Sequence, residues 1–269
     1  MQYGRPVAVL GGVRIPFCRQ NTASADVGNL GLSVRTLGAL VEKFGLQNQA
    51  LGEVAMGAVI KHSSDWNLGR EAALSSGLSP LTPGITLQRA CGTSLDTLIH
   101  IAGKIATGQI ECGIGGGSDT TSDVPIVYGK ALRGRLLKAA AGKTFGQKLA
   151  AFKGFKLSEL KPDFPGVAEP RTGKSMGAHC EDMAKEWGIS REAQDALAAA
   201  SHQKLAAAYA RGFFDDLVVS FRGVSRDNIL RADSSVEKLA TLKPAFDKTS
   251  GKGTLTAGNS TPLTDGASL

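Results

Sequence analysis

Aromatic side chains and long hydrophobic runs are scarce in this sequence. Aromatic residues make up 6% of the 269 residues, whereas glycine occurs 34 times, a mixture that suits closely packed α/β layers with short turns. No apolar run approaches the roughly 20 residues that a membrane-spanning helix needs, and the first residues lack a signal-peptide pattern. We therefore expect a cytoplasmic protein with one large or two smaller domains.

Paired cysteines are also missing. The four cysteines are widely spaced, and none lies in a CxxC pair; they are Cys18, Cys91, Cys112 and Cys180. A zinc ribbon, a redox dithiol or a disulfide framework is therefore not expected, and we predict no metal site. Each cysteine is either a buried small hydrophobe, the commoner state of free cysteine, or a reactive thiol.

Acidic residues are nearly absent from residues 129–161. Glu159 is the one acid there, against nine lysines and arginines, in a chain whose net charge is +7. No nucleic-acid-binding motif or aromatic stacking platform accompanies these bases, so we expect no nucleic-acid partner. Apolar residues are interleaved with the bases. This pattern favours an anionic membrane surface or a partner protein, and equally a solvated lid that attracts phosphates.

Strand and helix patterns alternate over the first 120 residues. Short apolar runs predict strands at 6–13, 54–60, 84–90 and 112–117. Apolar residues at helical spacing predict helices over 30–44 and 95–105. Strands that alternate with helices predict a mostly parallel sheet covered by helices, the α/β class.

The alternation stops near Thr120. An amphipathic stretch at 175–187 predicts a helix, and Ser190 is a suitable N-cap for a second helix over 191–210, with Gly212 after its end. Further strands are predicted at 217–221 and from Gly253 onward. The pattern indicates an α/β module (about 1–120), an inserted helical and irregular module (121–247), and a return to the first module (248–269).

Cys91 lies at a predicted strand-to-helix junction, in the run Gln88-Arg-Ala-Cys-Gly-Thr-Ser. The first turn of a helix leaves backbone N–H groups unpaired and carries the positive end of the helix dipole, which favours a thiolate nucleophile. The same N–H groups could form an oxyanion hole beside Gly92. A buried structural cysteine is the alternative, and spacing alone leaves both open.

Several motifs in order along the chain resemble the thiolase superfamily. They are Arg14-Ile-Pro-Phe, Asn67-Leu-Gly-Arg-Glu-Ala-Ala-Leu, the Cys91 run, Gly115-Gly-Gly-Ser-Asp, Ser175-Met-Gly, Ile189-Ser-Arg-Glu-Ala-Gln-Asp, Lys243-Pro-Ala-Phe-Asp and Thr256-Ala-Gly-Asn-Ser-Thr-Pro-Leu-Thr-Asp-Gly-Ala. The resemblance implies the layered α-β-α-β-α thiolase fold. Residues 1–120 and 248–269 would form its first half, and 121–247 the inserted loop domain that binds coenzyme A (CoA).

The resemblance also implies an activity. Cys91 would carry the acyl group in the thiolytic cleavage of 3-ketoacyl-CoA, with CoA as a substrate and no bound cofactor. Arg231 and Thr261 align with positions near CoA. A homodimer or a dimer of dimers is implied, and residues 129–161 resemble the extended loop of thiolase subunits that associate with a hydratase/dehydrogenase in β-oxidation complexes.

Three catalytic motifs of that family are missing from the 269 residues. The family uses a Gly-His-Pro histidine, an Asn-Glu-Ala-x asparagine and a second cysteine in Cys-x-Gly, but none of the four histidines here precedes a proline. We therefore expect the chain alone to be inactive. Two alternatives stay open: a fragment that only binds acyl-CoA or dimerises, and a decarboxylating ketoacyl-synthase-type condensing enzyme.

Overall fold

The computed structural model describes residues 4–269, which group into two compact units. Residues through Asp123 together with Ala168–Leu269 form the first, here called the sheet unit, and Val124–Val167 form the second, here called the basic unit. The expected loop domain at 121–247, which the resemblance assigns to CoA binding, has different bounds from these units and stays a prediction.

The secondary structure is distributed over both units. The strands are β1 (Cys18–Arg19), β2 (Glu53–Gly57), β3 (Gly84–Leu87), β4 (Gly113–Asp119), β5 (Val127–Tyr128), β6 (Pro162–Asp163) and β7 (Thr264–Ser268). The helices are α1 (Asn29–Lys43), α2 (Leu68–Ser75), α3 (Thr93–Ala106), α4 (Lys130–Ala141), α5 (Phe145–Ala150), α6 (Met176–Glu186), α7 (Arg191–Ala210) and α8 (Val236–Ala240). A 3₁₀ turn covers Leu157–Leu160.

The sheet unit is built on five strands in the order β1-β7-β4-β2-β3. β2 is parallel to both β3 and β4, whereas β7 is antiparallel to β4 and to β1. The chain moves from β2 to β3 in one direction and then back past β2 to β4. Because such crossovers are right-handed, the reversal places α2 and α3 on opposite faces of the sheet.

Alternate residues of the central strands face different helices. Val54, Met56 and Ile114 belong to a buried core with Leu37 of α1 and Ala72 of α2. The opposite face of the sheet carries glycines at Gly57, Gly113, Gly115 and Gly117, where a Cβ atom would collide with neighbouring backbone or with α3 side chains. These glycines let α3 approach the sheet closely.

The strongly periodic elements predicted from the sequence are confirmed. Helices over 29–43, 93–106 and 191–210 match the predictions to within two residues at each end. Ser190 accepts a hydrogen bond from the Ala193 N–H as the N-cap of α7, and Gly212 follows that helix at φ +74°.

Three predicted strands are wrong. Residues 6–12 form no strand, and pairing starts at Val13, which exchanges two backbone hydrogen bonds with Leu269. The segment 217–221 contributes two isolated bridges, from Val218 to Arg14 and from Phe221 to Val224, and no strand follows Gly253 until β7. In each case tertiary pairing, which a local pattern does not contain, decided the outcome.

Arg135 holds the basic unit together. Its guanidinium donates to both carboxylate oxygens of Glu159 at 2.6 and 3.0 Å. It also donates to the carbonyls of Ala151, Lys153 and Gly154. One side chain of α4 therefore fixes the segment that follows α5 and the 3₁₀ turn.

Among residues 4–269 no helix combines the length and the apolar character needed to cross a bilayer.

Candidate active site

Cys91 sits in a strained turn between β3 and α3. The preceding residue, Ala90, has φ +41°, a left-handed conformation that costs a non-glycine residue roughly 1–2 kcal/mol. The buried hydroxyl of Thr93 donates to the Ala90 carbonyl at 2.7 Å and accepts the Arg89 N–H at 2.8 Å. Thr93 thus holds the turn, and Cys91 is exposed at its tip.

The oxyanion hole expected from the first N–H groups of this helix stays a prediction, but two N–H groups beside Cys91 already have acceptors. The Gly92 N–H donates to the Arg89 carbonyl at 2.9 Å, and the Thr93 N–H donates to the Ala90 carbonyl at 3.2 Å. Both groups are used to close the turn. Cys91 itself precedes Gly92, the N-cap of α3, so it lies just outside the helix rather than in its first turn.

A cavity of about 210 Å³ opens beside Cys91. It lies where β2, β4 and β7 meet the start of α3, and its wall includes Phe17, Ser94, Asp119, Thr264 and Ser268. Gly57 and Gly117 form part of the same wall, and a Cβ atom at Gly57 would lie 2.2 Å from the Thr93 methyl. The glycines therefore create the space next to the cysteine.

Phe17 is held in that wall by a buried ion pair. Arg14 donates to the two carboxylate oxygens of Asp227 at 2.6 and 2.8 Å. Asp227 also accepts the backbone N–H of Phe17 at 2.7 Å, and the Phe17 ring packs on Gly266, where a Cβ would lie 2.3 Å from it. The Arg14-Ile-Pro-Phe motif contains both ends of this arrangement, but Asp227 carried no recognisable signal in the sequence.

Asp119 is the acidic group of the cavity wall. Its carboxylate accepts the backbone N–H groups of Val59 and Ile60 at 2.9–3.0 Å. Burial raises the pKa of the Asp119 carboxyl, and these hydrogen bonds together with Lys61 partly offset that rise. Asp119 ends the Gly115-Gly-Gly-Ser-Asp motif, yet nothing in the motif alone showed that it would line a cavity.

The other cysteines differ from Cys91 in their surroundings. Cys18 is buried, and burial raises the pKa of its thiol, with a hydrogen bond from Ser24 as a smaller opposing effect. Cys112 and Cys180 are exposed, but neither lines the cavity beside Cys91. The described residues contain no group of three or more histidine, cysteine or acidic side chains that could hold a metal ion.

Arg231 and Thr261, the two positions aligned with CoA-contacting residues, are both exposed. The Arg231 N–H donates to His202 Nδ1 at 3.4 Å, and its carbonyl accepts the Ser234 N–H. Thr261 precedes β7, and its hydroxyl lies 3.4 Å from the Pro262 carbonyl. Neither residue lines the cavity, so their relation to CoA stays a prediction.

Comparison with known proteins decides the family. Residues 7–269 match the profile of the thiolase N-terminal domain. The chain belongs to the thiolase family. A 3-ketoacyl-CoA thiolase of Shewanella baltica (strain OS155) is 39% identical over 271 residues, which cover 98% of this chain and 62% of that protein. A 3-ketoacyl-CoA thiolase of Serratia proteamaculans (strain 568) is likewise 39% identical, with 99% and 62% covered.

The fold comparison agrees with this assignment. The crystal structure of the Bacillus anthracis acetyl-CoA acetyltransferase superposes with a TM-score of 0.80 and 28% identity, covering all of this thiolase chain and 66% of that one. The α/β fold expected from the resemblance is therefore confirmed for these residues. The chain spans about 62% of the length of the curated thiolases it matches.

Proposed function

We propose that Cys91 is the acyl-accepting nucleophile of a thiolase that cleaves 3-ketoacyl-CoA with CoA, or catalyses the reverse condensation. The Cys91 thiolate attacks the 3-keto carbon, and the bond between C2 and C3 breaks. The electron pair leaves on C2 as the enolate of acetyl-CoA, which takes up a proton. The acyl group then passes from Cys91 to the sulfur of a second CoA.

One observation carries this proposal: an exposed cysteine at the tip of a strained strand-to-helix turn, beside a cavity. A turn of this kind presents a nucleophile to solvent while its neighbours stay packed. The volume of about 210 Å³ is below the roughly 300–1,000 Å³ of pockets that enclose a drug-sized ligand. It suits an acyl group, while the nucleotide part of CoA would lie outside it, and we propose Arg231 and Thr261 as contacts there.

The cavity offers no histidine for the proton transfers, and its acidic side chain, Asp119, is held by the backbone N–H groups of Val59 and Ile60. None of the four histidines is among the residues that line it. We therefore expect the 269-residue chain to accept an acyl group on Cys91 but not to complete turnover, since general acid–base catalysis typically contributes 10²–10⁴-fold. The family match favours this interpretation over a ketoacyl-synthase-type enzyme; acyl-CoA binding without chemistry is the remaining alternative.

The outer face of α3 supports the layered thiolase architecture. Leu95 and Ile99 are exposed on it, whereas Thr97 and Ile101 are buried against the sheet. We propose that a second α/β layer of the whole enzyme covers this apolar face. A homodimer or dimer of dimers and association with a hydratase/dehydrogenase subunit belong to the same proposal.

Cysteine labelling tests the proposal. The folded chain is treated with iodoacetamide at neutral pH, with and without acetyl-CoA, and the labelled peptides are mapped over time. Cys91 should react first, and acetyl-CoA should slow its alkylation selectively. Cys112 and Cys180 are exposed internal controls, and Cys18 should react last. Faster labelling of Cys112 or Cys180, or an acetyl-CoA effect shared by all exposed cysteines, would sink the proposal.

A further inference from the structure

The turn that carries Cys91 needs support from outside itself. Ala90 has φ +41°, and a strained backbone of this kind persists only where its surroundings hold it. The backbone N–H groups that follow Cys91 bond to carbonyls within the turn, so they close it without joining it to another strand end. Among residues 4–269, the side-chain hydrogen bonds from residues 88–92 to another loop are those of Gln88.

Gln88 is held by the loop that follows β2. Its side-chain oxygen accepts a hydrogen bond from the Lys61 ammonium at 2.8 Å, and its side-chain nitrogen donates to the Val59 carbonyl at 3.4 Å. Lys61 also donates to the Ala58 carbonyl at 3.0 Å. Both acceptors of the ammonium are uncharged oxygens, and a hydrogen bond from a charged donor is roughly twice as strong as one between neutral groups.

The loop that carries Lys61 is itself fixed. Asp119, at the end of β4, accepts the backbone N–H groups of Val59 and Ile60 at 2.9–3.0 Å. The buried side chain of Asn29 donates to the Ile60 carbonyl. Because β2 lies between β3 and β4 and is parallel to both, these contacts join neighbouring strand ends, and the Lys61 ammonium makes the last connection, to the turn.

We propose that Lys61 is a positioning residue for the proposed acyl transfer. By holding Gln88, its ammonium fixes the turn so that the Cys91 thiol faces the cavity in which the acyl group would lie. Lys61 is not among the residues that line this cavity, so it acts through Gln88 and not on the substrate. The inference rests on the proposed function of Cys91, but it concerns a contact that can fail separately.

Two reactions of Cys91 in the folded chain test the proposal. Alkylation by iodoacetamide needs an accessible thiolate, whereas acetyl transfer from acetyl-CoA also needs the thiol to meet the thioester in a defined orientation. Both rate constants are measured by quenching and peptide mass spectrometry. A change in the thiolate fraction would alter both rates and cancel in their ratio. Lys61→Met should lower the ratio of acetylation to alkylation roughly tenfold or more, because a charge-assisted hydrogen bond to the turn is lost.

Three further variants separate positioning from stability. Lys61→Arg keeps a charged donor and should restore most of the ratio. Lys61→Met with Gln88→Leu should lower the ratio about as much as Lys61→Met alone, since both substitutions remove the same hydrogen bond. Lys104→Met is the matched control, because Lys104 lies about three turns along α3 and pairs with Glu53 at 2.8 Å. It should lower stability but leave the ratio within about twofold, as expected for distant sites.

The outcomes distinguish the positioning role from the nucleophile itself. An unchanged ratio in Lys61→Met, or an equal loss in Lys104→Met, would overturn the positioning role and leave Cys91 as the nucleophile. A ratio as low in Lys61→Arg as in Lys61→Met would overturn the role of the charged donor. If the unmodified chain failed to acetylate Cys91, the proposed function would fall, and the positioning role with it.

Discussion

The sheet unit and the basic unit are stabilised by different kinds of contact. Around Cys91, position is fixed by close packing: Gly57 and Gly117 bring strands against the start of α3, and Thr93 closes a strained turn. In the basic unit one side chain, Arg135, holds α4 against the segment after α5. The outer surface of this unit is charged and apolar. The comparison indicates that dense packing positions Cys91, whereas the basic unit depends on the contacts of a single side chain.

A glycine in each unit gives the largest contrast. In Gly57→Ala the new Cβ would lie 2.2 Å from the Leu87 carbonyl oxygen and from the Thr93 methyl. Strands β2 and β3 would have to separate, and we expect a loss of about 3 kcal/mol in the free energy of unfolding. Displacement of Thr93 should also slow Cys91 alkylation.

Gly134→Ala is the matched substitution in the basic unit. Gly134 lies within α4 and has no atom within 4 Å of an added Cβ. Alanine there should stabilise the helix by up to about 1 kcal/mol. Chemical denaturation of both variants measures the contrast. If Gly57→Ala were as mild as Gly134→Ala, the close packing around Cys91 would not have the role assigned to it.

Acidification should change the stability of the two units in opposite directions, by less than the Gly57→Ala substitution does. Burial raises the pKa of Asp119, so its folded form holds a proton more tightly than the unfolded chain, and its contribution to stability falls as pH rises above about 3.9. The Arg135 hydrogen bond lowers the pKa of Glu159. The contribution of Glu159 is therefore present above its unfolded pKa and is lost as pH falls toward the folded value.

Hydrogen exchange at neutral pH and at pH values below about 4 can follow both effects. The basic unit should open first on acidification, and Glu159→Gln should remove that pH dependence. Asp119→Asn keeps an acceptor for the Val59 and Ile60 N–H groups, so we expect it to change the free energy of unfolding by no more than about 1 kcal/mol. At neutral pH the variant should be the more stable protein. Equal pH responses in both units would contradict the distinction.

The sequence predicted those parts of the fold that local pattern controls. Helix α7 was predicted to the residue, with its Ser190 cap, because cap chemistry and periodicity are local. Strand β7 was missed because Thr-Asp-Gly-Ala-Ser has little strand propensity of its own. It forms through pairing with β4 and β1, and residues 6–12 lack such a partner.

The candidate site likewise has features that the local sequence predicts and features that it does not. The strand-to-helix position of Cys91 was readable, since it follows from the order of neighbouring elements. The strained φ of Ala90, the use of the Gly92 and Thr93 N–H groups within the turn, and the support of Phe17 by Asp227 depend on contacts between residues distant in the sequence. No local motif contains that information.

Acyl transfer to Cys91 is the most direct test of the central claim. The chain is mixed with acetyl-CoA, quenched in acid, and digested for peptide mass spectrometry. We predict an acetyl thioester on the Cys91 peptide that is absent from Cys91→Ala and retained in Cys112→Ala. Acetylation of another cysteine, or no thioester at any cysteine, would contradict the account.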